Sequence, residues 1–231
     1  MTKKYRHELK FIISKTQAQI LKYRLSLIMN IDTHSKNEDN TYYIRSLYFD
    51  DIYNSAYYEK IDGLEKREKY RIRIYNFDDS LIRLERKEKN RDLTHKEQIV
   101  ITKEECMHFL NNEFDKIDTS KSKLLEDFVI KQKLHRIKPD VIVDYTRLAY
   151  TYDAEDIRIT FDEDIKSGRY SYDLFDKDIM TYDVLEPNEV VLEVKFNGAI
   201  ASHIASVLDT IPSIRLAVSK FALCKEKKEV L

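Results

Sequence analysis

A chain of 231 residues is long enough to bury roughly 70% of its unfolded surface, so a sizeable core is available. No apolar run approaches the roughly 18 residues of a membrane-crossing helix, and 16 Tyr with 10 Phe supply too much buriable surface for disorder, although 35% of residues are charged. The net charge of -1 gives no whole-protein attraction to nucleic acid, so what matters is where 40 basic and 41 acidic residues lie.

Tyr5 to Ile13 alternates Arg6, Glu8 and Lys10 against His7, Leu9 and Phe11, which predicts a strand. Ser14 and Gln17 form a capping box, and Ile20, Leu21, Arg24, Leu27 and Ile28 follow at helical spacing, predicting a helix with that apolar stripe in the core. After a polar loop from Asp32 to Asn40, Tyr42 to Phe49 reads as a strand, and Asp50 to Ile61 as a short helix closed by Gly63. Asp50 and Asp51 are read as its N-cap rather than as a carboxylate pair doing chemistry.

The next two strands carry the strongest pattern. Lys69, Arg71 and Arg73 share one face against Tyr70, Ile72 and Ile74. Arg83, Glu85 and Lys87 oppose Ile82 and Leu84, with a hairpin turn expected at Asp78-Asp79-Ser80. His95 to Ile101 is a further strand, followed by a Thr102 and Glu105 capping box on a helix bearing Cys106, Phe109 and Leu110. A helix over Lys121 to Arg136 stops before Pro139, with Leu124, Leu125, Phe128 and Leu134 facing inward. Strands follow at Val141 to Tyr145, Leu148 to Tyr152, Ile157 to Asp162 and Val190 to Phe196, then helices at Ala199 to Leu208 and Ser219 to Lys227. The Lys225 to Lys228 run reads as a solvated helix end. Eight or nine mostly antiparallel strands with helices around them give an α+β class, a closed antiparallel β-barrel decorated with helices, in one domain over 1–231.

The charged positions recur strand after strand: Glu8 and Lys10, Arg45, Arg71 and Arg73, Glu85 and Lys87, Arg147, Arg158, Glu193 and Lys195. In an ordinary sandwich this face points to water. The preference for arginine, a planar donor suited to bidentate phosphate binding, favours the alternative, an inward face that holds a polyanion. Glu8, Glu85 and Glu193 could hold a divalent ion or pair with the arginines. The six histidines lack metal-ligand spacing, and no P-loop is present. Tyr42, Tyr43, Tyr53, Tyr57 and Tyr58 could stack a nucleotide base, but half-buried packing is the expected explanation. Cys106 and Cys224 are too few for a disulfide framework and no signal peptide opens the chain, so the expected compartment is the cytoplasm.

The series Tyr5-Arg-His-Glu-Leu-Lys10, Arg45-Ser-Leu-Tyr-Phe-Asp50, Lys69-Tyr-Arg-Ile-Arg73, Leu84-Glu-Arg-Lys87 with His95-Lys96-Glu97, Asp144-Tyr-Thr-Arg147, Arg158-Ile-Thr-Phe-Asp162, Val191-Leu-Glu-Val-Lys195 and Ser219-Lys-Phe221 resembles the catalytic domain of the VTC (vacuolar transporter chaperone) polyphosphate polymerases. The resemblance runs over nearly the whole chain and implies a triphosphate tunnel metalloenzyme. It implies that Lys10, Arg71, Arg73, Lys87, Arg147 and Arg158, with Arg45, grip the triphosphate of ATP and a growing chain. Lys96, Lys195 and Lys220 would be further phosphate contacts, and Glu193, with Glu8 second, would position Mn2+ or Mg2+. The implied reaction is ATP-dependent polyphosphate synthesis, the alternatives being a metal-dependent tripolyphosphatase or nucleoside triphosphatase and a non-enzymatic polyphosphate-binding module. Arg6 stands where the wider superfamily often has a first Glu, which fits the VTC branch better than the triphosphatase branch. Eukaryotic relatives carry a regulatory domain and membrane helices that this sequence does not show, so any membrane partner is expected to be a separate protein.

Overall fold

The inner and outer faces of the sheet are set by the alternation in its central hairpin. In the computed structural model, which describes residues 5–33, 39–168, 171–211 and 218–229, β4 (Lys66–Tyr75) and β5 (Asp78–Asn90) pair antiparallel, with Arg71 opposite Glu85 and Ile72 opposite Leu84. Ile72, Ile74, Ile82 and Leu84 are fully buried in an apolar cluster, while Arg71, Arg73, Arg83 and Lys87 turn to the other side. The turn between the strands is Asn76-Phe77, both at positive φ (50° and 55°), so the hairpin lies two residues before the expected Asp78-Asp79-Ser80. A two-residue turn with both residues left-handed matches the strand twist, and here a Phe occupies a position usually given to Gly.

The remaining strands are β1 (Arg6–Ser14), β2 (Asn30–Ile31), β3 (Thr41–Asp50), β6 (Leu93–Ile101), β7 (Lys138–Tyr152), β8 (Ile157–Gly168), β9 (Thr181–Asp183) and β10 (Glu189–Phe196). All ten lie in one antiparallel sheet in the order β2-β7-β3-β4-β5-β6-β1-β10-β8-β9, and a further β7–β8 pairing closes eight of them into a ring. Val141 to Tyr145 and Leu148 to Tyr152 are one strand, β7. The polar Thr146-Arg147 step that seemed to divide them pairs with β3 and β8, and Arg147 points into the ring. β2 and β9 are too short to leave an alternation pattern.

Helices cover the outer faces. Both capping boxes form, Ser14 with Gln17 at the start of α1 (Lys15–Ser26) and Thr102 with Glu105 at the start of α3 (Lys103–Leu110). α1 buries Ala18, Leu21 and Leu25, whereas Ile20 and Leu27 of the expected stripe are exposed. α2 (Ser55–Ile61) starts later than expected. Asp50 and Asp51 do hold its start, accepting from the backbone N–H groups of Ala56 and Tyr57 and of Tyr53 and Ser55. α4 (Lys123–Leu134) buries Leu124, Leu125 and Phe128 against β4 and α3, but Leu134 is 74% exposed. α5 (Ser202–Leu208) packs beside α1. Among the described residues no helix is long and apolar enough to cross a membrane.

α6 (Lys220–Glu229) is different, because it packs on inward-facing side chains. Phe221 and Cys224 are buried with Ile44, Tyr48, Val143, Tyr145 and Val191. Lys225 is 2% exposed and bonds Asp50 at 2.9 Å and Asp140 at 2.8 Å, so this part of the Lys225 to Lys228 run is an internal clamp and not a solvated end. The two carboxylates make burial of this ammonium tolerable, and the clamp holds α6 to β3 and β7. Lys225→Met strands two facing carboxylates and is expected to lower the unfolding free energy by about 3 kcal/mol, read as a lower urea midpoint at unchanged m-value.

Candidate functional site

The part of the ring that α6 leaves unfilled is a cavity of about 800 Å³. All eight ring strands contribute to its wall, with Lys60 of α2 and the start of α6, and fifteen lysines and arginines line it against three carboxylates, Glu8, Asp92 and Glu193. The charged face therefore points inward.

Behind this lining sit carboxylates that hold the guanidinium groups in place. Glu85, fully buried, accepts from Arg71 Nε at 2.7 Å and lies 3.7 Å from Arg73 Nη1 and 3.2 Å from Lys96 Nζ. Burial alone would raise its pKa, but Arg71, Arg73 and Lys96 hold it well below the ordinary carboxylate value. The other nitrogens of these arginines donate to hydroxyls: Arg71 to Tyr48 at 2.7 Å, Arg73 to Ser46 at 2.9 Å and Tyr145 at 3.2 Å. Asp162 takes Arg147 bidentately at 2.6 and 2.7 Å and Lys220 at 2.5 Å; against the upward pull of burial, these two cations bring it down to about 2. Arg158 reaches Asp32 at 2.7 Å and the Tyr42 hydroxyl at 2.9 Å.

Glu8 and Glu193 sit together. Lys87 donates to both Glu8 oxygens at 2.8 Å, and Lys10 lies 3.1 Å from Glu8 and 3.9 Å from Glu193. Lys195 is 3.3 Å and Arg147 3.6 Å from Glu193. Despite burial and their mutual repulsion, both carboxyls are held below the ordinary value by these cations, Glu193 strongly. Among the described residues no group of three or more His, Cys, Asp or Glu is gathered to hold a metal ion.

Eleven of the twelve residues singled out from sequence thus line this cavity: Glu8, Lys10, Arg71, Arg73, Lys87, Lys96, Arg147, Arg158, Glu193, Lys195 and Lys220. Arg45 does not. It is 1% exposed, bonds Asp144 at 3.0, 3.2 and 2.8 Å, and stacks on Phe77 at 4.7 Å. In β3 the residues turned inward are Tyr42, Ile44 and Tyr48, the opposite parity, so Arg45 ties β3 to β7 and cannot reach a ligand in the cavity. The sequence reading missed Tyr48, Tyr145, Ser46 and Asp162, which orient the arginines. Lys60, Arg67 and Lys89 were also missed, although Arg67 and Lys89 continue the alternation already visible in β4 and β5, and Lys69 and Arg83, placed on the charged face from sequence, line the cavity without having been singled out as site residues. Of the tyrosines, Tyr42 and Tyr57 are packed as expected, whereas Tyr53 is 76% and Tyr58 51% exposed.

Residues 5–227 match the VTC domain. The chain belongs to the VTC-domain family. No curated protein matches the sequence. Among solved structures, a Bacillus halodurans protein described as a "putative adenylate cyclase" aligns at TM-score 0.52 and 15% identity, over 91% of this chain and 89% of its own, a likeness of fold. The PH1819 protein from Pyrococcus horikoshii OT3 aligns at TM-score 0.47 and 12% identity over 96% and 99% of the two chains.

The lysines of this VTC domain's cavity divide by their surroundings: Glu8 and Glu193 hold Lys10 above the ordinary lysine value against burial, whereas burial lowers others. Burial, opposed only in part by Glu193 and Glu8, pushes Lys195 down to about 7, and burial with Arg71 and Arg73 pushes Lys96 to about 8. Lys69 falls furthest, to about 6, through burial and then Lys10 of β1, Lys60 of α2, Lys87 of β5 and Arg67 of β4. Its other neighbours are Glu59 of α2, the Ser219 hydroxyl at 3.5 Å and the Phe221 ring at 4.3 Å. The sign of the linkage follows. Empty, Lys69 is neutral above about 6; a bound anion favours the ammonium, so binding takes up a proton between that value and the ordinary lysine range, and affinity falls as pH rises through the window. Calorimetry of long-chain polyphosphate binding in buffers of differing ionisation enthalpy is expected to show net proton uptake that shrinks in Lys69→Met.

Proposed function

We propose that this VTC domain is an ATP-dependent polyphosphate polymerase that transfers the γ-phosphate of ATP to a growing polyphosphate chain within the cavity. Family membership supports a substrate of the nucleotide and polyphosphate class. The observation that carries the reading is the lining itself: fifteen lysines and arginines facing three carboxylates, an excess that Glu85 and Asp162 behind the lining reduce and that a multiply charged anion would offset.

Phosphoryl transfer asks mainly for position and charge, because the transition state is loose and its charge is spread over the equatorial oxygens of the moving group. Arg71, Arg73 and Arg147, each locked by a buried carboxylate or hydroxyl, supply rigid donors for those oxygens. Lys10, Lys87 and Lys220 add point charges. A terminal oxygen of the chain attacks the γ-phosphorus, the bond to the bridging oxygen breaks, and its electron pair leaves on ADP. Glu8 and Glu193 fit a divalent ion, being adjacent, buried and held deprotonated. Mn2+ or Mg2+ commonly takes one or two carboxylates and completes its shell with phosphate oxygens and water, and it would supply charge neutralisation there.

Incubation of the protein with ATP and Mn2+ is expected to accumulate long-chain polyphosphate with ADP. Orthophosphate without polymer would replace the polymerase with a triphosphatase, and anion binding with neither product would leave a binding module. Arg71→Ala combined with Glu85→Ala removes one rigid donor together with the buried carboxylate that it shares with Arg73 and Lys96, so that Glu85 is not stranded. This pair is expected to weaken ATP binding by about 2 kcal/mol, roughly thirtyfold, measured by calorimetry alongside an unfolding curve.

A further inference from the structure

Along the inner face of β4 the cations Arg67, Lys69, Arg71 and Arg73 follow one another at every second residue, roughly 7 Å apart. The row has two halves. Arg71 and Arg73 rest on Glu85, whereas among the described residues Arg67 and Lys69 have no carboxylate in ion-pair contact. Strand register sharpens the contrast, because Arg67 lies directly opposite Lys89 and Lys69 directly opposite Lys87 on β5. Like charges facing across a ladder destabilise it. Lys87 is in ion-pair contact with Glu8, whereas among the described residues Arg67, Lys69 and Lys89 feel carboxylates only at longer range, and Lys60 of α2 comes in beside them, its charge acting on both Lys69 and the arginine. The acids that face the group are Glu59 on α2, Asp92 in the β5–β6 turn and Glu226 on α6, which acts on Lys60, with Glu8 already engaged by Lys10 and Lys87; none of the first three is in ion-pair contact with the four basic residues.

We propose that Lys60, Arg67, Lys69 and Lys89 form a second anion subsite, which holds the part of a phosphate chain extending beyond the phosphates gripped around Arg71, Arg73 and Arg147. This rests on the polyphosphate reading of the cavity and adds a chain-length preference to it. A linear polyanion lying along β4 meets both halves of the row, while a short one is satisfied by the half that Glu85 organises. Beside burial, the repulsion from Lys10, Lys60, Lys87 and Arg67 disfavours the Lys69 ammonium in the empty protein, and a second run of phosphates would offset that repulsion.

The test compares calorimetric affinities for tripolyphosphate and long-chain polyphosphate in the wild type and in Lys60→Gln/Arg67→Gln/Lys89→Gln. The wild type is expected to prefer the long chain by about tenfold or more, the equivalent of one charge-assisted contact. The variant should lose that preference and keep its tripolyphosphate affinity, with a melting temperature equal to or above the wild type because a like-charge pair is gone. A preference that survives in the variant reflects only the number of registers a long chain offers and overturns the subsite. So does a folded variant that weakens both ligands equally, and so does a wild type that binds both lengths alike. A wild type that binds neither anion overturns instead the polyphosphate reading of the whole cavity.

Discussion

The repulsion among cations crowded onto the inner face of a closed ring of strands is the constraint on which this structure depends. Two unit charges 4 Å apart repel by about 4 kcal/mol at the effective dielectric near a protein surface, and by more when enclosed. A ring lined by so many lysines and arginines closes only if something offsets them. Glu85, Asp162, Glu8 and Glu193 are that offset: each is buried, and each touches at least two cations. The same carboxylates fix the direction of the guanidinium groups, so the feature that permits folding also organises the site.

The apolar chemistry is arranged around this demand. Because the inner face is charged, the alternate side chains of β4, β5, β8 and β10 point outward, and α1, α3, α4 and α5 cover them in two clusters. α6 is the exception that completes the design. It fills the apolar share of the interior with Phe221 and Cys224, anchors itself through Lys225, and thereby presents Ser219 and Lys220 to the charged share. Stability and site are coupled through one helix.

What could be read from the sequence follows the same physics. In β4 and β5 charge and hydrophobicity alternate without interruption, so the faces and most of the site residues were legible. In β3 apolar and aromatic residues occupy both faces, Tyr42, Ile44 and Tyr48 inside and Leu47 and Phe49 outside, so alternation carries no polarity and Arg45 was assigned to the wrong side. β7 looked like two strands because a buried arginine resembles a break in an apolar run. Lys225 looked solvated because its counter-ions, Asp50 and Asp140, are 175 and 85 residues away in sequence. The orienting groups, Asp162 and the tyrosine hydroxyls, were invisible for the same reason: a positioning role is defined by a partner across the ring, and no local pattern marks it.

Arginine and lysine divide the work of the cavity. Arg71, Arg73 and Arg147 stay charged under all conditions, and each is tied to a buried oxygen, so they form a fixed template of donors. Lys69, Lys96 and Lys195 are different, because an ammonium can release its proton when burial, with neighbouring cations added, makes the charge too costly. The empty cavity thus sheds part of its charge and regains it as an anion enters. A wall made only of arginines would remain strained when empty, and a wall made only of lysines would lack fixed geometry. The mixture lets the ring close without a ligand and still present full charge to one.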